Sequence, residues 1–141
     1  MIDKNAKIFI CGHRGMVGSA CVRKFEREGY RNIIKRTHEE LDLRNQADVK
    51  AFFEAEKPEY VVLAGAKVGG IMANKLHCAE FLLENLEIQN NVIMQSYLNG
   101  VKKFCFLGSS CNSESASGCK AVLGEPAREV RGQAFLPHLY R

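Results

Sequence analysis

KIFICGHRGMVG, residues 7–18, decides how the rest of the chain is read. Lys7 to Cys11 alternates and then runs apolar, the pattern of a buried strand. Gly12, Gly15 and Gly18 follow at three-residue spacing, and a helical pattern begins directly behind them. Strand, glycine-rich turn and helix in that order form the phosphate-binding entrance of a dinucleotide fold. One glycine permits a sharp turn, another lets backbone approach a pyrophosphate, and the last lets the helix pack close to the strand. The anion would rest on the unpaired N–H groups and the positive dipole end of the helix. Three spaced glycines alone are a weak signal; the flanking strand and helix strengthen it.

Working outward, the first helix is expected over about residues 15–28, with Val17, Cys21, Lys24 and Phe25 near one face and Gly29 as its stop. NIIKR, residues 32–36, reads as a second strand. Asn45 caps a helix that carries Val49, Phe52 and Phe53 at helical spacing, and Pro58 ends it. YVVLA, residues 60–64, is continuously apolar, as a central parallel strand is. AKVGGIMAN, residues 66–74, reads as a loop. A long helix is expected over about residues 78–98, closed by Asn99-Gly100, and KFCFL, residues 103–107, is a fourth strand ending at Gly108.

The order β-α-β-α-β-α-β predicts an α/β fold: a Rossmann-like, doubly wound parallel sheet with right-handed crossovers, incomplete at about four strands. Ligands in such sheets bind beyond the carboxyl ends of the strands. Those ends are Gly12, Arg36, Ala64 to Lys67, and Gly108 to Cys111, where the unusual residues also cluster. Residues 112–141 carry no clear period and are expected to be an irregular tail, either a loop-rich extension or disordered. Residues 1–111 then form a partial dinucleotide-binding domain, whose fourth strand is expected to be an exposed sheet edge.

A length of 141 residues suits one domain, and 46% hydrophobic with 26% charged residues is the composition of a soluble globular chain. No apolar run approaches the roughly 20 residues that span a bilayer, which predicts no membrane partner. MIDKNAK is polar and leads straight into the first strand, unlike a secretory signal. The net charge of +4 is mild and spread along the chain; it predicts no nucleic-acid partner but suits an anionic nucleotide. The six cysteines, at 11, 21, 78, 105, 111 and 119, include no CxxC pair, and reduced cytoplasmic thiols are expected. The histidines at 13, 38, 77 and 138 are too scattered to suggest a metal site.

Where a NAD-binding fold places an acid after the second strand, this chain has Lys35, Arg36, Thr37 and His38. A carboxylate there would repel a 2′-phosphate, whereas Arg36 can fork onto one, and Arg14 inside the glycine turn can reach the same group. That pattern favours NADP(H); the alternative is that Lys35 and Arg36 only solvate a strand end. At Gly108-Ser109-Ser110-Cys111 a hydroxyl can polarise a substrate carbonyl and a thiol can move a proton, although short Ser-Ser turns are common connectors. Asn85 lies in an apolar stripe with Phe81, Ile88 and Val92. It either bridges to the Gly-Ser turn or is a satisfied core asparagine.

Over residues 7–111, the segments CGHRGMVGSA, LAGAKVGGIMAN and FLGSSC together closely resemble the GDP-L-fucose synthase family, a branch of the extended short-chain dehydrogenases/reductases. The resemblance implies a NADP-dependent 3,5-epimerase/4-reductase that converts GDP-4-dehydro-6-deoxy-D-mannose to GDP-L-fucose, and a homodimer. It implies that Gly12, His13, Arg14, Gly15, Met16, Val17 and Gly18 wrap the cofactor pyrophosphate, with Arg14 and Arg36 near the 2′-phosphate. Asp42 and Leu43 would approach the adenine, and Ala64, Gly65, Ala66 and Lys67 would line the middle of the cofactor. Ser109 would be the catalytic serine and Cys111 the epimerisation cysteine.

The family pattern is not followed past Cys111. Its Tyr-x-x-x-Lys pair has no match, since Tyr140 is followed only by Arg141. The family's histidine partner to the cysteine and its sugar-binding domain are not matched either. These departures lead to the expectation of a truncated, frameshifted or alternatively spliced product. The alternative function is then a catalytically inactive NADP-binding fragment.

Overall fold

A computed structural model describes residues 2–107 and 121–123. The elements are β1 (Ile8–Cys11), α1 (Met16–Arg27), β2 (Ile33–Ile34), α2 (Gln46–Glu56), β3 (Tyr60–Leu63), α3 (Ile71–Leu76), α4 (Cys78–Leu98), β4 (Lys103–Leu107) and β5 (Ala121–Leu123). The sheet order is β2-β1-β3-β4-β5. The first four strands are parallel, and β5 runs antiparallel to β4 with Phe106 opposite Val122.

The chain leaves β1 toward β2 and then crosses back to β3 on the other side of β1. Right-handed crossovers therefore put α1 on one face of the sheet and both α2 and α4 on the other. The packing of α2 against α4 agrees. The direction of winding reverses between β1 and β3, which makes their carboxyl ends the switch point of the sheet.

The main core lies under α2 and α4. Phe9, Cys11, Val61 and Leu63 point to that face and meet Leu41, Val49, Phe53, Val92 and Val101. The ring of Phe9 packs 4.5 Å from Phe52 and edge-on to Phe53 at 6.1 Å, an arrangement aromatic quadrupoles favour. β1 is buried on both faces, since Ile8 and Ile10 are also covered. Asn45 caps α2 through its side-chain oxygen, which accepts from the N–H groups of Ala47 (3.0 Å) and Asp48 (3.4 Å). Lys57 ends that helix in the left-handed region at φ 48°, directly before Pro58.

Several expectations are revised. The second strand is only Ile33–Ile34, because Asn32 and Lys35 to Arg36 make no ladder pairs with β1. The loop over 66–74 contains the start of α3, a helix of 6 residues too short to show a period. On α1, Val17 and Lys24 face solvent, and Gly18, Cys21, Val22 and Phe25 form the covered face. β4 is not a sheet edge, because Ala121-Val122-Leu123 pairs with it. That apolar triplet is too short to stand out from the irregular composition around it. The remainder of the expected tail, residues 112–120 and 124–141, lies outside the described residues. Cys11, Cys21, Cys78 and Cys105 are free thiols, and burial pushes the Cys11 thiol far above its ordinary range. No described helix is long and apolar enough to cross a membrane.

Candidate functional site

Gly12 turns the chain out of β1 at φ 73°, and its amide region lies against the loop after β3. A side chain on Gly12 would put Cβ 2.6 Å from the Gly65 Cα. Gly18, in the first turn of α1, is closer still: a Cβ there would stand 2.1 Å from the Gly12 carbonyl oxygen. These two positions set how near α1 can come to the β1–β3 switch point. Gly15 is the N-cap of α1; its N–H donates to the Gly12 carbonyl at 3.0 Å, and no side chain caps the helix. The first turn of α1 also contains no acidic residue. Among the described residues the start of this 12-residue helix is thus left with uncapped N–H donors and no competing carboxylate of its own.

In front of this helix end is a cavity of about 460 Å³ lined by residues from three strand ends. Gly12, His13, Arg14 and Gly15 come from the turn after β1. Arg36 through Glu39 and Leu41 through Arg44 follow β2, and Gly65, Ala66 and Lys67 follow β3. Glu84 and Ile88 of α4 complete the lining. The cavity therefore gathers most of the residues expected to hold a dinucleotide. Met16 and Val17 lie outside it on the exposed first turn of α1. Gly18 is buried behind it, and Ala64 donates its N–H to the Cys11 carbonyl at 3.2 Å. Ser109 and Cys111 lie outside the described residues.

The charges around the cavity are unevenly spent. Arg44 grips the Asp42 carboxylate with Nε (3.0 Å) and Nη2 (2.8 Å) and reaches Glu84 with Nη1 (3.1 Å). This guanidinium holds the Asp42 carboxyl down to about 2. Lys67 pairs with the other Glu84 oxygen, and that hydrogen bond is the main cause of the lowered Glu84 pKa. Arg36 donates to Glu56 at 2.7 Å and to the Lys35 carbonyl at 2.9 Å, with its guanidinium over the Phe52 ring. Arg14, by contrast, makes no hydrogen bond or ion pair among the described residues. His13 Nδ1 is a buried polar atom with no partner there. Helix donors, an arginine and a buried ring nitrogen, each without a partner among the described residues, together fit a phosphate-bearing ligand.

Sequence reasoning singled out Asn85 on α4 but not its neighbour Glu84 or Asn91. Asn85 accepts from the Lys67 N–H at 2.8 Å and donates to the Lys67 carbonyl at 2.9 Å and to the Phe81 carbonyl at 2.8 Å. Both amide hydrogens are used on the loop after β3 and on α4 itself, whereas the Gly-Ser turn to which Asn85 was expected to bridge lies outside the described residues. Asn91 donates to the carbonyls of Leu43 (3.0 Å) and Arg44 (2.8 Å). With Glu84, these residues tie α4 to two of the loops that line the cavity. The polar Asn85 on an apolar stripe is the signal the sequence carries for this role; Glu84 beside it carries none.

Fold and site define a nucleotide-binding domain of the doubly wound α/β class. The chain belongs to the NAD dependent epimerase/dehydratase family, whose model matches residues 8–125. It is 60% identical over 111 residues to a putative GDP-L-fucose synthase 2 of Arabidopsis thaliana, covering 79% of this chain and 34% of the relative. It is 47% identical over 105 residues to the GDP-L-fucose synthase of Escherichia coli, covering 74% of this chain and 33% of that one. Among solved structures, a GDP-mannoheptose C4 reductase from Campylobacter jejuni with NADP bound superposes with a TM-score of 0.77 at 44% identity, covering 83% of this chain and 38% of that one. The chain spans about a third of the length of the curated relatives it matches.

Proposed function

We propose that this chain is the NADP(H)-binding part of a GDP-L-fucose synthase-like epimerase/reductase acting on GDP-4-dehydro-6-deoxy-D-mannose. The observation that carries the reading is the cavity at the β1–β3 switch point, where an uncapped helix start faces cations in place of the usual ribose-binding acid. The names of the relatives at 60% and 47% identity support the substrate, and the NADP-bound reductase supports the cofactor.

In this reading the N–H groups at the start of α1 take the pyrophosphate, and the missing side chains of Gly12 and Gly18 let that helix start stand close to the β1–β3 switch point. Arg14 and Arg36 meet the 2′-phosphate with charge-assisted hydrogen bonds. Asp42, fixed as a carboxylate by Arg44, and Leu43 stand at the adenine end. Gly65 to Lys67 hold the middle of the cofactor, positioned by Asn85 and Glu84. The bound nicotinamide supplies hydride to the C4 ketone of the sugar. Ser109 hydrogen-bonds that ketone and Cys111 moves a proton at the epimerised carbons, two roles that rest on the resemblance alone. The homodimer rests on the resemblance too; the exposed Leu82, Leu83 and Leu86 of α4 support it.

A second reading, favoured by the unmatched Tyr-x-x-x-Lys pair, is that these 141 residues on their own bind cofactor without turnover. Fluorescence titration with NADPH tests the first step: saturable enhancement, at least about tenfold tighter than for NADH, is expected. No enhancement overturns the cofactor assignment. Adding GDP-4-dehydro-6-deoxy-D-mannose then separates the readings, since steady NADPH oxidation supports the enzyme and its absence supports the binding-only fragment.

A further inference from the structure

Arg36 does not stand alone at the cavity wall. Its guanidinium donates to Glu56 Oε1 at 2.7 Å through Nη2 and to its own neighbour's carbonyl, Lys35, at 2.9 Å through Nη1. Its carbon centre lies 5.7 Å from the centroid of the Phe52 ring. Glu56 is the last residue of α2 and Phe52 lies one turn before it, so one helix end supplies both contacts. Glu56 is fixed in turn: Lys7 Nζ donates to its backbone carbonyl at 2.8 Å and stands 3.7 Å from its second carboxylate oxygen. The side chains of Arg36 and Glu56 are 35% and 30% exposed, so water screens the pair only partly.

Arginine carries five N–H hydrogens. Two are used here, and three remain for a ligand in the cavity that Arg36 lines. A long side chain ordinarily surrenders rotamer freedom when it grips a phosphate, and holding it in place beforehand removes that cost. We propose that Glu56 is a positioning residue that sets the preference for a 2′-phosphorylated nucleotide by presenting Arg36 at the end of β2. This inference rests on the NADP(H) reading of the cavity. The opposing possibility is electrostatic: Glu56 as a competitor that weakens Arg36 toward an anion.

Two variants separate these effects. Glu56→Gln keeps an acceptor oxygen and removes the charge, whereas Glu56→Ala removes both. The readout is the ratio of affinities of the full chain for 2′,5′-ADP and 5′-ADP, measured by calorimetry. General damage to the fold lowers both affinities alike and leaves the ratio unchanged. Positioning predicts that Glu56→Ala lowers the ratio about tenfold through 2′,5′-ADP alone, and that Glu56→Gln stays within about twofold of the unaltered chain. A ratio in Glu56→Ala that is unchanged or raised overturns the inference, as does a raised ratio in Glu56→Gln. Equal affinities in the unaltered chain would overturn the cofactor reading itself.

Discussion

The two ends of the sheet are built from similar residues and treat them differently. At the amino ends, polar groups close on one another. Glu59 pairs with Lys102 and accepts from the Lys7 N–H, and the backbones of Lys7, Glu59 and Lys102 bond across neighbouring strands. Lys4 caps the Glu28 carbonyl at 2.7 Å and lies 4.0 Å from the Tyr30 ring centroid. At the carboxyl ends, charges surround a cavity, and among the described residues the start of α1, Arg14 and the His13 Nδ1 are left without partners. Charge alone therefore does not mark a site. What distinguishes the carboxyl end is polar capacity left unsatisfied in a concave place.

This contrast can be broken by substitution. The largest effect is expected from Gly18→Ala, whose new Cβ meets the Gly12 carbonyl and pushes α1 from the switch point. It should cost about 1–3 kcal/mol of stability by overpacking and weaken NADPH binding more than tenfold, read by chemical denaturation and fluorescence titration. Arg14→Ala should weaken 2′,5′-ADP binding by about tenfold, the scale of a lost charge-assisted hydrogen bond, with the melting temperature unchanged. An equal loss for 5′-ADP would show that Arg14 serves the cavity's general field and not one phosphate.

Acid sharpens the comparison further. The Asp42 carboxyl is depressed in the folded chain to about 2, so its stabilisation is full above the unfolded value near 3.9 and is lost as pH falls toward 2. Melting temperature should drop through that window, and the drop should be shallower in Asp42→Asn. The smallest effect belongs to the amino end. Glu59→Gln should cost no more than about 1 kcal/mol and leave nucleotide affinity untouched, as an exposed ion pair away from the cavity would. A nucleotide-binding defect in that variant would refute the division between the two ends.

The framework of the fold was legible in the sequence because its signals are local. β4 and α4 have the expected bounds, and Asn45 caps α2 as read, since apolar period and capping chemistry act within a few residues. The three glycines were legible for the same reason. Illegible were the contacts that depend on where distant segments meet. Glu84 and Arg44 are 40 positions apart, Arg36 and Glu56 are 20, and nothing in spacing pairs them. Val17 has the period of the covered face, but Gly18 is what the close approach to the β1 turn admits there. The short β5 escaped notice because three residues cannot display alternation.

The double hydrogen bond between Asn85 and Lys67 has a mechanical consequence. A side-chain amide that pairs with both the N–H and the carbonyl of one residue acts as a neighbouring strand would. It moors the loop to a 21-residue helix whose far half, at Val92, Gln95 and Ser96, is buried. The height of Lys67 is thus referenced to the helix and not to the thread of chain that follows it. Residues inserted after Val68, which is itself 83% exposed, would lengthen the connection and leave the cavity wall where it is.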